Sequence, residues 1–167
     1  HKDSAKHWLR NGCSQIIGVD GSGLNKRKCR CNIRKLEEVR KILFPMEVLG
    51  LREVGFYSEI DETGTTLEAN SMLKANVVWQ WLVKQGIDTT MLGVFADDTG
   101  LEIAALGGAP GVYSARWAGE PSNDARNRQK ALCELTGVQD RSARFRTVIT
   151  WMDARGAQQV EGIVNGR

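Results

Sequence analysis

At 167 residues, with 41% apolar and 26% charged side chains, the chain has material for one hydrophobic core and so for one domain. A net charge of +3, from 23 basic and 20 acidic residues, is too small to imply nucleic acid as a partner, and any phosphate site has to be local. No apolar run approaches the roughly 20 residues of a membrane span, and no signal peptide is visible, so a reducing cytoplasm is the expected location.

Residues 1–31 show no sustained period of either 2 or 3.6 and read as an irregular lead-in. The first residue is His rather than Met, as expected of a fragment or a processed form. The basic run Lys26, Arg27, Lys28 and Arg30 reads as a solvated charge cluster, and GSG at 21–23 is too short for a phosphate loop. Cys13, Cys29, Cys31 and Cys133 lack the spacing of a zinc site.

From Lys35 the pattern sharpens. KLEEVRKILF puts Leu36, Val39, Ile42 and Leu43 at helical spacing, with Pro45 as the stop, and MEVLGL follows as a strand. A helix is predicted over 66–85. Thr65 and Glu68 form a capping box, Gly64 precedes it, Ala69, Leu73, Val77 and Trp81 repeat down one face, and Gly86 closes it.

MLGVFA then reads as a buried strand that delivers Asp97 and Asp98 at its carboxyl end, where ligands bind in α/β sheets. A further helix is predicted from Asp124 to Leu135, capped by Ser122 or Asn123 and stopped at Gly137. ARFRTVITWMD and AQQVEGIVNG, separated by Ala154 to Gly156, read as a hairpin. Helices and strands interleave, so the fold class is α/β.

Two readings of DDTG at 97–100 stand at this point. One is a strand end plus turn, with Asp bonding nearby amides. In the other, adjacent carboxylates repel unless one points away or a cation lies near, and oxygen ligands of this kind suit Mg²⁺ shared with substrate phosphates. A second acidic cluster, Glu59, Asp61 and Glu62, precedes the capped helix, and Lys74 lies inside it. Acids for a metal plus a lysine for phosphate are the minimum set for a magnesium phosphohydrolase.

DETGTTLEANSMLKA followed by FADDTGLEIAALGGAPGVYSARWAGE resembles the inosine triphosphate pyrophosphatase family, and the match runs from about Asn32 to Gly166. The resemblance implies a central mixed β-sheet flanked by helices. It also implies Mg²⁺-dependent hydrolysis of inosine, deoxyinosine and xanthosine triphosphates to the monophosphate and pyrophosphate, which clears nonstandard purines from the nucleotide pool. A homodimer in the cytoplasm is implied as well, without membrane or nucleic-acid partners.

Residue by residue, the resemblance makes Asp98 a metal ligand and the general base for the attacking water, with Asp97 as a supporting acid. It makes Glu62, twelve residues before Lys74, the second metal carboxylate, and Lys74 a grip on the triphosphate. Thr99 takes the place of a substrate-contacting hydroxyl, and Arg116 in YSARW that of a basic residue near the nucleotide. The glycines Gly107, Gly108 and Gly111 around Pro110 would let a loop turn tightly; as plain loop punctuation they need no site.

The family's TNNxxK phosphate loop maps onto Arg30 to Lys35 and keeps only Asn32 and Lys35. The strand before that loop has no counterpart other than SQIIGVDG. The family continues beyond EGIVNG into segments that hold the purine base, so residues 32–167 are expected to be an incomplete catalytic domain lacking its base-recognition half. Two alternatives remain: a non-catalytic nucleotide-binding scaffold, and the Maf-like nucleotide pyrophosphatases, which ALGGAPGVYSAR fits less well.

Overall fold

The computed structural model describes residues 15–19 and 29–167, with side chains described for Ile17, Gly18 and from Lys35 onward. Its elements in chain order are β1 (Gln15–Val19), α1 (Cys29–Leu43), β2 (Glu47–Gly50), α2 (Leu67–Lys84) and β3 (Leu92–Ile103). There follow β4 (Pro110–Gly111), α3 (Asp124–Glu134), β5 (Ala143–Asp153) and β6 (Gly156–Gly166), with short 3₁₀ turns at Ala104–Leu106 and Ser114–Arg116.

The strands form one sheet in the order β2-β1-β3-β5-β6, with β4 paired to β3. β1 is parallel to both neighbours, Ile17 lying opposite Leu49 and Val94, whereas β4 is antiparallel to β3, Leu101 facing Gly111. The expected α/β class with a mixed sheet is what is found.

Residues 1–31 have no readable period, yet β1 lies within them and stands between β2 and β3 in the sheet, which makes SQIIGVDG the strand in question. A five-residue strand flanked by strands on both edges needs only a short apolar run, and such a run carries no alternation. α1 likewise starts at Cys29, before the periodic stretch at Lys35. The basic run at 26–28, the GSG at 21–23 and Cys13 lie outside the described residues, as do the side chains of Arg30, Cys29 and Cys31. Cys133 is a free, exposed thiol.

The strand that begins with MLGVFA does not end at the aspartates. It continues through DDTG to Ile103, so Asp97 and Asp98 sit in mid-strand, and the turn reading of DDTG is overturned. The physical reason is the neighbouring strands: β5 lies beside β3, with Thr147 Oγ1 2.9 Å from Thr99 Oγ1, and just past the motif β4 pairs at Leu101 and Glu102, where a Cβ on Gly100 would lie 2.4 Å from the Gly111 carbonyl oxygen. Gly107, Gly108 and Gly111 all have positive φ, the use expected for them in the intervening loop.

Helix α2 begins one residue later than the capping box suggests. Thr66, not Thr65, caps it, its Oγ1 accepting from the Ala69 amide at 3.1 Å. Its buried face is also rotated from the Ala69–Leu73–Val77–Trp81 stripe. Ala69 and Val77 are exposed, whereas Leu67, Asn70, Ser71, Lys74, Ala75, Val78 and Leu82 are buried. Three of those seven are polar, and apolar periodicity could not find a face of that kind.

Two compact units are distinguished. The first comprises the described part of His1–Glu62 with Met72–Asp97 and Thr150–Gln158. Its core joins Ile17, Phe56, Ala75, Val78, Leu82, Leu92, Val94, Ala96 and Met152, and Phe56 meets the Trp81 ring edge-on at 5.4 Å. On α1, Leu36 packs over Gly18 and Gly50, where there is no side chain to exclude it.

The second unit comprises Thr63–Ser71, Asp98–Ile149 and Gln159–Arg167. Leu67, Ile103, Leu135 and Val148 are its buried apolar residues. Asn123 caps α3 through the Arg126 amide at 3.0 Å, one of the two caps expected, and Gly137 follows the helix at φ 75°.

Candidate active site

In the first unit the structure pairs sequence-expected residues two by two. Asp97 is 6% exposed in β3, and its Oδ2 receives the Lys35 ammonium from α1. Asn32 lies on α1 one turn before Lys35; its side chain is outside those described. Lys74 is 1% exposed on α2, and its Nζ stands 3.2 Å from Glu62 Oε1. An ammonium so deeply buried requires a charged partner, and Glu62, just before the helix, supplies it.

In the second unit Asp98 meets a different set. Successive strand residues point to opposite faces, which turns the Asp98 carboxylate away from that of Asp97. Asp98 Oδ2 accepts from Asn70 Nδ2 at 3.3 Å, and Asn70 Oδ1 accepts from the Gly64 amide at 2.7 Å. Thr99 Oγ1 lies 2.9 Å from Thr147 Oγ1 on β5.

Arg116 sits in the 3₁₀ turn after β4 with its guanidinium 5.4 Å from the Tyr113 ring centre. The turn is held from behind. Asn127 on α3 bonds Ser114 O, Ala115 O and Ala118 N, Lys130 donates to Trp117 O at 2.9 Å, and Ser114 Oγ accepts from the Leu101 amide at 2.8 Å.

Sequence reasoning missed Asn70, Thr147, Asn127 and Arg146. Arg146 on β5 pairs with Glu68 at the start of α2, with Glu161 on β6 at 2.8 Å, and more distantly with Glu102 on β3 at 3.8 Å. Glu68 and then Glu161 hold the guanidinium above its usual range, and the Arg146 hydrogen bond holds the Glu68 carboxyl below its own. Only Asn70 left a trace in sequence: it stands four residues before Lys74, on the same helix face.

Among the described residues no three His, Cys, Asp or Glu side chains converge as a ready-made metal cage, and no helix is long and apolar enough to cross a membrane. Carboxylates that could each offer oxygen to a hard cation are Glu62, Asp97 and Asp98.

Comparison with known proteins places these residues in a family. The sequence model of the Ham1 family matches residues 31–167. A dITP/XTP pyrophosphatase of Porphyromonas gingivalis is 46% identical over 137 residues, which cover 81% of this chain and 66% of that protein. One from Clostridium perfringens is 42% identical over 133 residues, covering 77% of this chain and 64% of its own length. The chain therefore spans slightly less than two thirds of these curated relatives. Among solved structures, the Staphylococcus aureus Ham1 protein is similar with a TM-score of 0.74 at 32% identity, covering 92% of this chain and 71% of that one. A match that takes in both acidic blocks and the intervening helix, on the same fold, is the pattern of common descent, and the chain belongs to the Ham1 family.

Proposed function

We propose that the chain carries the catalytic residues of a Mg²⁺-dependent nucleoside triphosphate pyrophosphohydrolase that acts on nonstandard purine nucleotides and serves nucleotide-pool sanitation. The observation that carries this reading is the buried Lys74–Glu62 pair, 1% exposed at the lysine, inside a family match whose relatives bear the name dITP/XTP pyrophosphatase. Family membership also supports a homodimer in the cytoplasm.

The Asp98 carboxylate accepts a proton from water. The resulting hydroxide forms a bond to the α-phosphorus, the bond from that phosphorus to the bridging oxygen breaks, and pyrophosphate leaves with the electron pair. Lys74 faces phosphate charge, as do Lys35, held by Asp97, and Asn32 on α1; Thr99 and Arg116 contact the nucleotide. Glu62 and Asp98 would hold Mg²⁺, which supplies Lewis-acid stabilisation of phosphate charge. The donor set fits this ion. Mg²⁺ takes one or two protein carboxylates and fills its remaining positions with water and phosphate, so a three-acid cage is not required.

The test is pyrophosphate release from dITP and XTP in Mg²⁺, compared between the wild-type chain and Asp98→Asn. Loss of about 10²–10⁴-fold in the variant, with unchanged far-ultraviolet circular dichroism, is expected of a removed general base. Equal turnover by a well-folded Asp98→Asn protein removes Asp98 from that role.

A further inference from the structure

Asn70 is fully buried, at 0% exposure, in the first turn of α2. Asparagine is a poor helix former and a poor core residue, so both ends of its carboxamide must be bonded for it to stand there. They are. The Gly64 amide can only donate, so the group 2.7 Å from it has to be the carboxamide oxygen. That bond fixes which way the amide faces and leaves the NH₂ end toward Asp98 Oδ2, an acceptor 3.3 Å away.

Gly64 completes the chain of contacts. A Cβ there would stand 2.5 Å from Asn70 Oδ1 and 2.8 Å from Ala69 Cβ, so the approach of this backbone to the amide depends on a missing side chain. The segment is anchored a second time at Glu68, by the Arg146 ion pair and by Gln159, whose Nε2 donates to Glu68 O at 2.8 Å.

We propose that Asn70 is a positioning residue for Asp98: oriented by the Gly64 amide, its NH₂ group sets the direction of the Asp98 carboxylate toward the attacking water. This rests on the pyrophosphohydrolase reading. A general base misdirected by an ångström loses rate without losing substrate affinity, so the role has a kinetic signature distinct from a structural one.

Two measurements decide it, both at a temperature where every variant is folded. In Mg²⁺ with dITP, Asn70→Ala is expected to lower kcat at least tenfold with KM within twofold. Gly64→Ala, which disturbs the amide without touching its chemistry, is expected to lower kcat several-fold in the same pattern. Unchanged kcat in both overturns the proposal, as does a rise in KM alone.

The second measurement is thermal melting, which needs no activity. Asn70→Asp sets two carboxylates against each other and is expected to melt lower. The exchange Asn70→Asp with Asp98→Asn restores one amide and one carboxylate and is expected to melt higher than Asn70→Asp alone, while remaining inactive. If the exchange gives no recovery, the contact is absent and the proposal falls. A wild-type chain that releases no pyrophosphate removes the function, and this role with it, whereas an active wild type with fully active Asn70→Ala removes only the role.

Discussion

Lys74 and Glu62 show how a charge is kept buried on a helix. The ammonium is 1% exposed and Glu62 about a quarter exposed at its side chain, so the pair is stabilised by attraction in a medium of low polarity and opposed by desolvation. Removing one partner is therefore worse than removing both. Glu62→Gln is expected to lower unfolding free energy in urea by about 1–3 kcal/mol, and Glu62→Gln combined with Lys74→Met to recover most of that loss. A double variant no more stable than Glu62→Gln would show that the pair is not what keeps the lysine buried. Both carboxylates of the DDTG segment could be picked out as residues from sequence, but their partners could not. Lys35 is 62 positions from Asp97 and Asn70 is 28 from Asp98, and no local rule connects such pairs.

Among the elements, α2 carries both Asn70 and Lys74, and its N-terminus is held in two ways. Thr66 satisfies the Ala69 amide, so Thr66→Ala is expected to cost about 1 kcal/mol in thermal or urea unfolding, and Thr65→Ala to change stability by less than about 0.5 kcal/mol. A larger loss at Thr65 would restore the capping box at its sequence position. The second hold is Glu68 with Arg146. The Arg146 bond lowers the Glu68 carboxyl from its usual 4.5, so the folded state binds that proton less readily than the unfolded chain. Its contribution is then fully present above about pH 4.5 and lost as pH falls through the lower folded value. Melting of wild type and Glu68→Gln should accordingly differ most near pH 7 and converge toward pH 3, and a gap independent of pH would mean the carboxylate charge is not involved.

In the whole molecule the decisive element is β1. It lies between β2 and β3, with Ile17 1% exposed in the core of the first unit, although its short apolar run shows no strand alternation. A chain beginning at Cys29 would leave β2 and β3 without the strand between them, and it is expected to lose its cooperative thermal transition. A sharp transition in that shortened chain would show that the sheet closes without β1.

Sequence by itself determined what depends on neighbours along the chain. The Asn123 cap of α3, the glycines at positive φ and the β5–β6 hairpin with its short connection are all properties of a few consecutive residues. The candidate acidic and basic residues could be named for a related reason: two motif blocks carry them. The tertiary structure alone decided the course of DDTG, because an isolated Asp-Asp-Thr-Gly favours a turn and it is the neighbouring strands, β5 alongside and β4 just beyond, that extend it. It alone decided that β1 lies between β2 and β3, that α2 buries a polar face, and that Asn70 donates to Asp98. Each of those outcomes is an energy shared between groups far apart in the chain, and it becomes visible only once the fold has brought them together.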